Sequence, residues 1–169
     1  MNSRDETQVR VLDENKFKEV MSRFATGVAI VTTQVEGSPH GSTVQAFCSV
    51  SLNPQLVLVC LSSNGRTVKK IESSGRFAVN FLGLSQKELA EIFANPSLSP
   101  EQRFKFVSYD LGVTGCPIIR GSIAVVECAL KSVYTEGDHK LLIGEVVSGG
   151  TLSDEQPLLY YKHSYTTVK

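Results

Sequence analysis

The sequence predicts a mainly β protein, an antiparallel barrel with helical insertions. Three observations predict it. About six short runs are β-branched or apolar and are separated by Gly-, Pro- and Ser-rich turns. The runs fall in pairs joined by short turns, which is the spacing of hairpins and not of alternating β-α-β units. The helical patterns are few, short and set between the strands. A chain of 169 residues, 41% apolar and 20% charged, suits one domain with its own core.

The elements follow in order. Residues 1–12 are polar and read as a flexible arm, and residues 13–169 as the single domain. From Asp13, the positions Phe17, Val20, Met21 and Phe24 recur at i, i+3, i+4 and i+7, an amphipathic helix that Gly27 ends. VAIVTTQV is a strand and EGSPHGS a turn. Residues 43–51 and 56–61 are two further strands, paired through the turn LNPQ. The apolar run LVLVCL suggests a strand covered on both faces. Residues 67–74 form a short helix with Val68 and Ile71 inward and Gly75 at its C-terminal cap. FAVNFL is a strand. Ser85 and Glu88 make a capping box, with Leu84 and Leu89 as its hydrophobic staple, so a helix is expected from Ser85 to about Ala94. Ser99-Pro100-Glu101-Gln102 starts another, with Pro at its first position. Residues 122–134 and 140–147 are strands joined by TEGDH, and a short last strand falls near residues 158–161.

Bulk properties exclude several classes. Lys+Arg and Asp+Glu are 17 each, so there is no concentrated positive field for nucleic acid. No run approaches about 18 apolar residues, so no membrane-spanning helix is expected. The N-terminal stretch lacks the apolar core of a signal peptide, and a cytoplasmic location is expected. The four cysteines form no CxxC pair, so no metal site is expected; Cys48, Cys60 and Cys128 read as buried free thiols in strands, and Cys116 lies in a Gly-Cys-Pro turn. Phosphate-loop, nucleophile-elbow and HExxH motifs are absent.

One stretch, HGSTVQAFCSVSLNPQLVLVCLSSNGRT, carries chemistry. Gly41-Ser42-Thr43 and Ala46 to Ser51 set hydroxyls and amides beside small residues, which lets a flat polar ring approach the backbone. Ser62, Ser63, Asn64, Gly65, Arg66 and Thr67 open a helix, where free amides, hydroxyls and a guanidinium suit a phosphate. A ring at one end and a phosphate at the other describe a flavin mononucleotide. The same residues also suit an ordinary β protein with a helix cap at NGRT.

The chain resembles the short-chain flavin reductase family, the reductase components of two-component flavin-dependent monooxygenases. The resemblance rests on RFATGVAIVTT, the stretch above, SGRFAVNFL, the QRF ending at Phe104, GCPIIRGSIAVVEC, EGDHKLLIGEVV and PLLYYKHSY, in that order. It implies an antiparallel, Greek-key-like FMN-binding split barrel, a homodimer, and reduction of FMN or FAD by NADH or NADPH. By position it places Ser42, Thr43, Val44, Ala46, Phe47, Cys48 and Ser49 along the ring and ribityl chain, with Ser51 supporting that wall. Ser62, Ser63, Arg66 and Thr67 then hold the phosphate, and Arg103 and Phe104 lie near the flavin. Gly137, Asp138 and His139 match the family's nicotinamide motif, and His139 is the candidate catalytic residue. Taken alone, the same turn reads as a surface histidine. Gln45 and Gln55 depart from the family pattern, Gln45 where a smaller residue is frequent.

The function expected is an NAD(P)H:flavin oxidoreductase. It supplies reduced flavin to a partner monooxygenase, by diffusion or by contact. The rivals are a non-enzymatic flavin-binding barrel, a flavin-dependent oxidase with its own substrate pocket, and a structural barrel. Neither nucleic acid nor a membrane is expected as a partner.

Overall fold

The computed structural model describes residues 12–168. In chain order these form α1 (Glu14–Met21), β1 (Thr26–Gly27), β2 (Ala29–Val35), β3 (Ser38–Val44), β4 (Phe47–Leu52), β5 (Gln55–Ser62), α2 (Arg66–Ser74) and β6 (Arg76–Phe81). A 3-10 turn (Leu84–Gln86) leads into α3 (Lys87–Ala94), α4 (Pro100–Phe104), β7 (Tyr109–Leu111) and β8 (Pro117–Ile119). The long pair β9 (Ala124–Glu136) and β10 (His139–Thr151) follows, then β11 (Leu159–Tyr161) and β12 (Ser164–Thr166). The arm expected over residues 1–12 lies outside the described residues, apart from Leu12.

Seven strands pair antiparallel in the order β3-β2-β6-β9-β10-β5-β4. The edges β3 and β4 do not pair with each other, yet only Gln45 and Ala46 separate them in the chain. The sheet therefore curls into an antiparallel barrel that stays split along this seam. Two small antiparallel sheets, β1-β11-β12 and β7-β8, pack outside it.

Side-chain alternation explains the layers. Ala29 and Val31 on β2 face one core cluster with Val59, Leu142, Phe77 and the inner face of α2, Val68 and Ile71. Val28 and Ile30 face a second cluster with Ala90 and Phe93 of α3, Phe104 of α4 and Leu158. A strand covered on both faces needs the continuous apolar run that VAIV supplies. Between the layers the buried Asn80 amide donates to the Ile30 carbonyl (3.1 Å) and to Thr32 Oγ1 (3.2 Å), and accepts from the Ile119 amide (2.8 Å). That set ties β6, β2 and β8 together.

Several expectations change. The turn expected over residues 36–42 shrinks to Glu36 and Gly37, both left-handed (φ 51° and 77°), because Ser38 to Ser42 pair with β2. The strand expected over residues 43–51 is instead the end of β3, a break at Gln45-Ala46, and most of β4. On β5, Val57, Val59 and Leu61 are buried, while Leu56, Leu58 and Cys60 are only half-covered, so one face is core and the other is open. The Ser85 capping box does not form. Glu155 takes the Ser85 amide (2.6 Å) and hydroxyl (3.0 Å), and α3 begins at Lys87. The Ser99 box does form, with Ser99 Oγ accepting from the Gln102 amide (3.2 Å) and Gln102 Oε1 from the Ser99 amide (2.8 Å). Gly75 caps α2 in the left-handed conformation (φ 69°) that a side chain would disfavour. Helix α1 ends at Met21, and Gly27 lies in β1 and not at the helix end. No residue of α1 is buried; Phe17, Val20, Met21 and Phe24 are all exposed.

Candidate functional site

A groove runs along the split seam in two connected parts. The first, about 410 Å³, is lined by Ser42, Ser62, Asn64, Gly65, Arg66, Thr67, Pro96 and Arg103 among others. The second, about 390 Å³, is lined by Val44, Gln45, Ala46, Cys60, His139, Tyr160 and Tyr165 among others. Thr43, Leu61, Ser62 and Ala94 line both, so the two parts share a wall.

The first part has the chemistry to take an anion. Helix α2 opens on it with Gly65 as N-cap and no side-chain cap bond, so the first-turn amides keep free donor capacity. No Asp or Glu lines it among the described residues. Arg66 Nη2 donates to the carbonyls of Leu98 (2.8 Å) and Pro96 (3.4 Å). Arg103 is 8% exposed and donates to the carbonyls of Gly41 (2.9 Å) and Asn95 (2.6 Å). Its Nε is buried with no partner among the described residues. Burial and then the neighbouring Arg66 lower the Arg103 pKa from its ordinary value. Glu101 offsets part of the Arg66 charge, and an anion between the two guanidiniums would offset more.

The second part has the chemistry to take a flat ring. Its floor is the β3–β4 junction, where the Phe47 amide donates to the Gln45 carbonyl (3.0 Å) and the Cys60 amide to the Ala46 carbonyl (2.9 Å). The turn at Gly137 and Asp138 brings His139 opposite Ser62 in the β5–β10 register. The Ser63 amide donates to the Asp138 carbonyl (2.9 Å), which fixes that turn against the phosphate end. His139 Nδ1 lies 2.7 Å from Asp138 Oδ1, and this bond lowers the Asp138 pKa. The imidazole is thereby oriented from one side, leaving Nε2 for a ligand. Tyr160 and Tyr165 face each other across β11 and β12 with ring centroids 5.2 Å apart. Burial, then Glu91 and Tyr160, raise the Tyr165 pKa, so it is a neutral wall.

Of the residues singled out in the sequence, Ser42, Thr43, Val44, Ala46, Ser62, Arg66, Thr67, Arg103 and His139 line the groove. Ser42 and Thr67 share a hydrogen bond (2.8 Å), and Thr43 donates to the Ala90 carbonyl (2.7 Å). The Ser63 hydroxyl is buried without a partner among the described residues. Gly137 and Asp138 shape the turn without lining the groove. Phe104 is in the second core cluster, edge-on to Phe93 (5.1 Å) and Tyr109 (5.3 Å). Phe47 and Cys48 face elsewhere, into an apolar hollow of about 650 Å³ with Met21, Phe24, Leu58 and Phe81. Ser49 and Ser51 continue along β4 and line none of these spaces. Ala94, Pro96, Tyr160 and Tyr165 line the groove as well, though the sequence did not single them out. The alternation in PLLYYKHSY was the signal for Tyr160 and Tyr165, and it needs β12 to be placed.

Among the described residues no cluster of His, Cys, Asp and Glu could hold a metal ion. No helix there is long and apolar enough to cross a membrane.

Comparison with known proteins follows the same outline. Residues 21–169 match the family model described as a flavin reductase like domain. The chain is 37% identical over 158 residues to the HsaB reductase subunit of a flavin-dependent monooxygenase from Rhodococcus jostii, covering 94% of this chain and 80% of that protein. It is 36% identical to an NADH flavin reductase of Kitasatospora aureofaciens, covering 92% of this chain and 82% of that one. Among solved structures, the NADH:FAD oxidoreductase SgcE6 of Streptomyces globisporus, in complex with NAD and FAD fragments, superposes with a TM-score of 0.87 at 30% identity. That match covers 95% of this chain and 98% of the other.

Proposed function

Because the chain belongs to the flavin reductase-like family, we propose that it is an NAD(P)H-dependent flavin reductase supplying reduced FMN or FAD to a partner monooxygenase. The observation that carries this reading is the groove itself, a two-arginine end with no Asp or Glu among its described lining residues, joined to a slot that His139 lines. Residues 13–169 act as one reductase domain.

The residues present fit a flavin. The orphaned Arg103 Nε, the uncapped start of α2 and the hydroxyls of Ser62 and Ser42 would hold a phosphate. Thr43 to Ala46 would lie along the ring. When bound, the flavin supplies the hydride acceptor for the reduced nicotinamide. The protein's part is positioning. The β3–β4 junction offers backbone amides toward charge that develops on the ring. His139, held by Asp138, bonds or stacks with the nicotinamide, and the tyrosine pair narrows the slot and excludes water. No side chain has to transfer a proton for the hydride step.

The working unit is a homodimer. Support comes from α1, whose apolar face is exposed, and from the adjoining apolar hollow with Phe47, Leu58 and Phe81. An amphipathic helix whose apolar side is exposed among the described residues asks for a second surface. The four free thiols suit the reducing cytoplasm.

The test is direct. Purified protein is mixed with FMN or FAD and with NADH or NADPH in air, and nicotinamide absorbance is followed. Flavin-dependent oxidation of one nicotinamide is expected. Tight flavin binding with no turnover would make the protein a carrier or an oxidase for another substrate.

A further inference from the structure

The hairpin that carries His139 projects from the barrel. Every residue from Tyr134 to His139 is exposed, and a Cβ added to Gly137 at the tip would meet nothing within 4 Å. Packing therefore does little to hold it. A ring contact displaced by about 1 Å loses much of its effect, so something else has to fix the turn.

Two attachments reach it from the phosphate end. One is the Ser63 amide bond to the Asp138 carbonyl (2.9 Å). The other begins at Lys140, which follows His139 and is the first residue of β10 that is not exposed. Side chains alternate along a strand, so His139 and Lys140 point to opposite sides of β10. His139 lines the slot, while Lys140 turns toward α2 and places Nζ 2.6 Å from Glu72 Oε1. These side chains are 22% and 33% exposed, whereas every side chain in the other ion pairs of the described residues is at least 46% exposed. A shielded pair is screened less by water and salt than a surface pair, and it holds its geometry better. Its far end is also firm, because α2 buries Val68 and Ile71 completely in the first core cluster. The same helix opens at Arg66 on the phosphate end, and Glu72 lies about 9 Å further along the axis at about 1.5 Å per residue.

Resting on the reductase reading, we propose that Lys140 and Glu72 are a positioning pair for the nicotinamide. Through β10 they hold His139 at a fixed place relative to the helix that receives the flavin phosphate. Neither residue lines the groove, so neither touches flavin or nicotinamide, and both act through His139. Their loss falls on nicotinamide binding and spares the flavin.

The experiment is steady-state kinetics of the full chain, with the nicotinamide varied at saturating FMN or FAD, beside flavin Kd from fluorescence quenching. Glu72→Gln and Lys140→Met keep the stems and remove one charge each. Each should raise the KM for the nicotinamide about threefold or more, and the double variant no further than either single, with kcat and flavin Kd within about twofold. Lys140→Arg keeps the charge and should keep the KM. In a His139→Ala background Glu72→Gln should add nothing, because no imidazole remains to be placed. An unchanged KM in either single variant, or the same added factor in the His139→Ala background, would overturn the proposal. So would a rise in flavin Kd equal to the rise in KM, which is what general loosening of the barrel gives. Should thermal melting show that one single variant does not fold, the other still decides. If the unmutated protein oxidises neither NADH nor NADPH with any flavin, the reductase reading fails, and this inference with it.

Discussion

Arg103 offers the sharpest test of the phosphate end, through Arg103→Met, which keeps the stem and removes the charge. In the structure the guanidinium makes two bonds to protein and keeps Nε unpaired in the groove wall. The Asn95 bond costs little to lose, because Asn95 is exposed and water replaces the donor. The Gly41 carbonyl is in a buried segment and loses its charged partner. That loss, partly offset by relief of the repulsion from Arg66, costs about 1–2 kcal/mol, or about 2–8 °C in Tm for a chain of this length. Binding of a phosphate loses a charge-assisted hydrogen bond, about 1.5–3 kcal/mol, so Kd for FMN or FAD rises about tenfold to 150-fold. Riboflavin should lose no more than about twofold, since it lacks the phosphate that Arg103 would bind. Fluorescence quenching of each flavin gives both constants. Equal losses for FMN and riboflavin would refute the reasoning and leave Arg103 as a prop for the loop at Asn95.

Other consequences are as open to measurement. His139→Ala should raise the KM for the nicotinamide about tenfold or more while leaving flavin Kd nearly unchanged, and unaltered steady-state kinetics would remove His139 from the site. Asn80→Ala strands the Ile119 amide and the Ile30 and Thr32 acceptors, at a cost of about 2–4 kcal/mol. Urea denaturation should show this as a lower midpoint at constant slope. Burial raises the Cys116 pKa and pushes the Cys128 thiol up to about 12, so neither forms a thiolate near neutrality. A thiol reagent at pH 8 should therefore label Cys60 slowly and Cys116 and Cys128 only after unfolding, while Cys48, which lines the apolar hollow, should be shielded in the dimer. FAD should protect Cys60, which lines the ring slot. Peptide mass spectrometry distinguishes these.

Local rules in the sequence located most elements. Pro100 after Ser99, with Gln102 three residues on from Ser99, was enough to place α4, because every partner lies within one turn. Gly75 marked the end of α2 for the same reason. The failures share the opposite property. Ser85 has the same local pattern as Ser99, yet Glu155 from the far end of the chain captures it, and no local rule contains Glu155. Ser38 to Ser42 look like a turn because their side chains are small and polar. They form a strand because β2 supplies the backbone partners. Helix α1 was correctly periodic, and its apolar face still found no core within the described residues.

The site divides along the same line. The sequence by itself determined which residue types were available, namely hydroxyls around residues 42–51, a guanidinium at a helix start, and a Gly-Asp-His turn. These are properties of short segments, and resemblance over the chain gave them roles. Only the tertiary structure decided which of them meet. Pairing of β5 with β10 set His139 against Ser62, and α4 carried Arg103 back to the Gly41 carbonyl. The break at Gln45-Ala46 sent Val44 to the groove and Phe47 to the apolar hollow, and β12 added Tyr165 to the slot. The physical reason is one of range. Propensity, capping and alternation act over a few residues, whereas strand register and the closure of a charged site depend on partners distant in the chain.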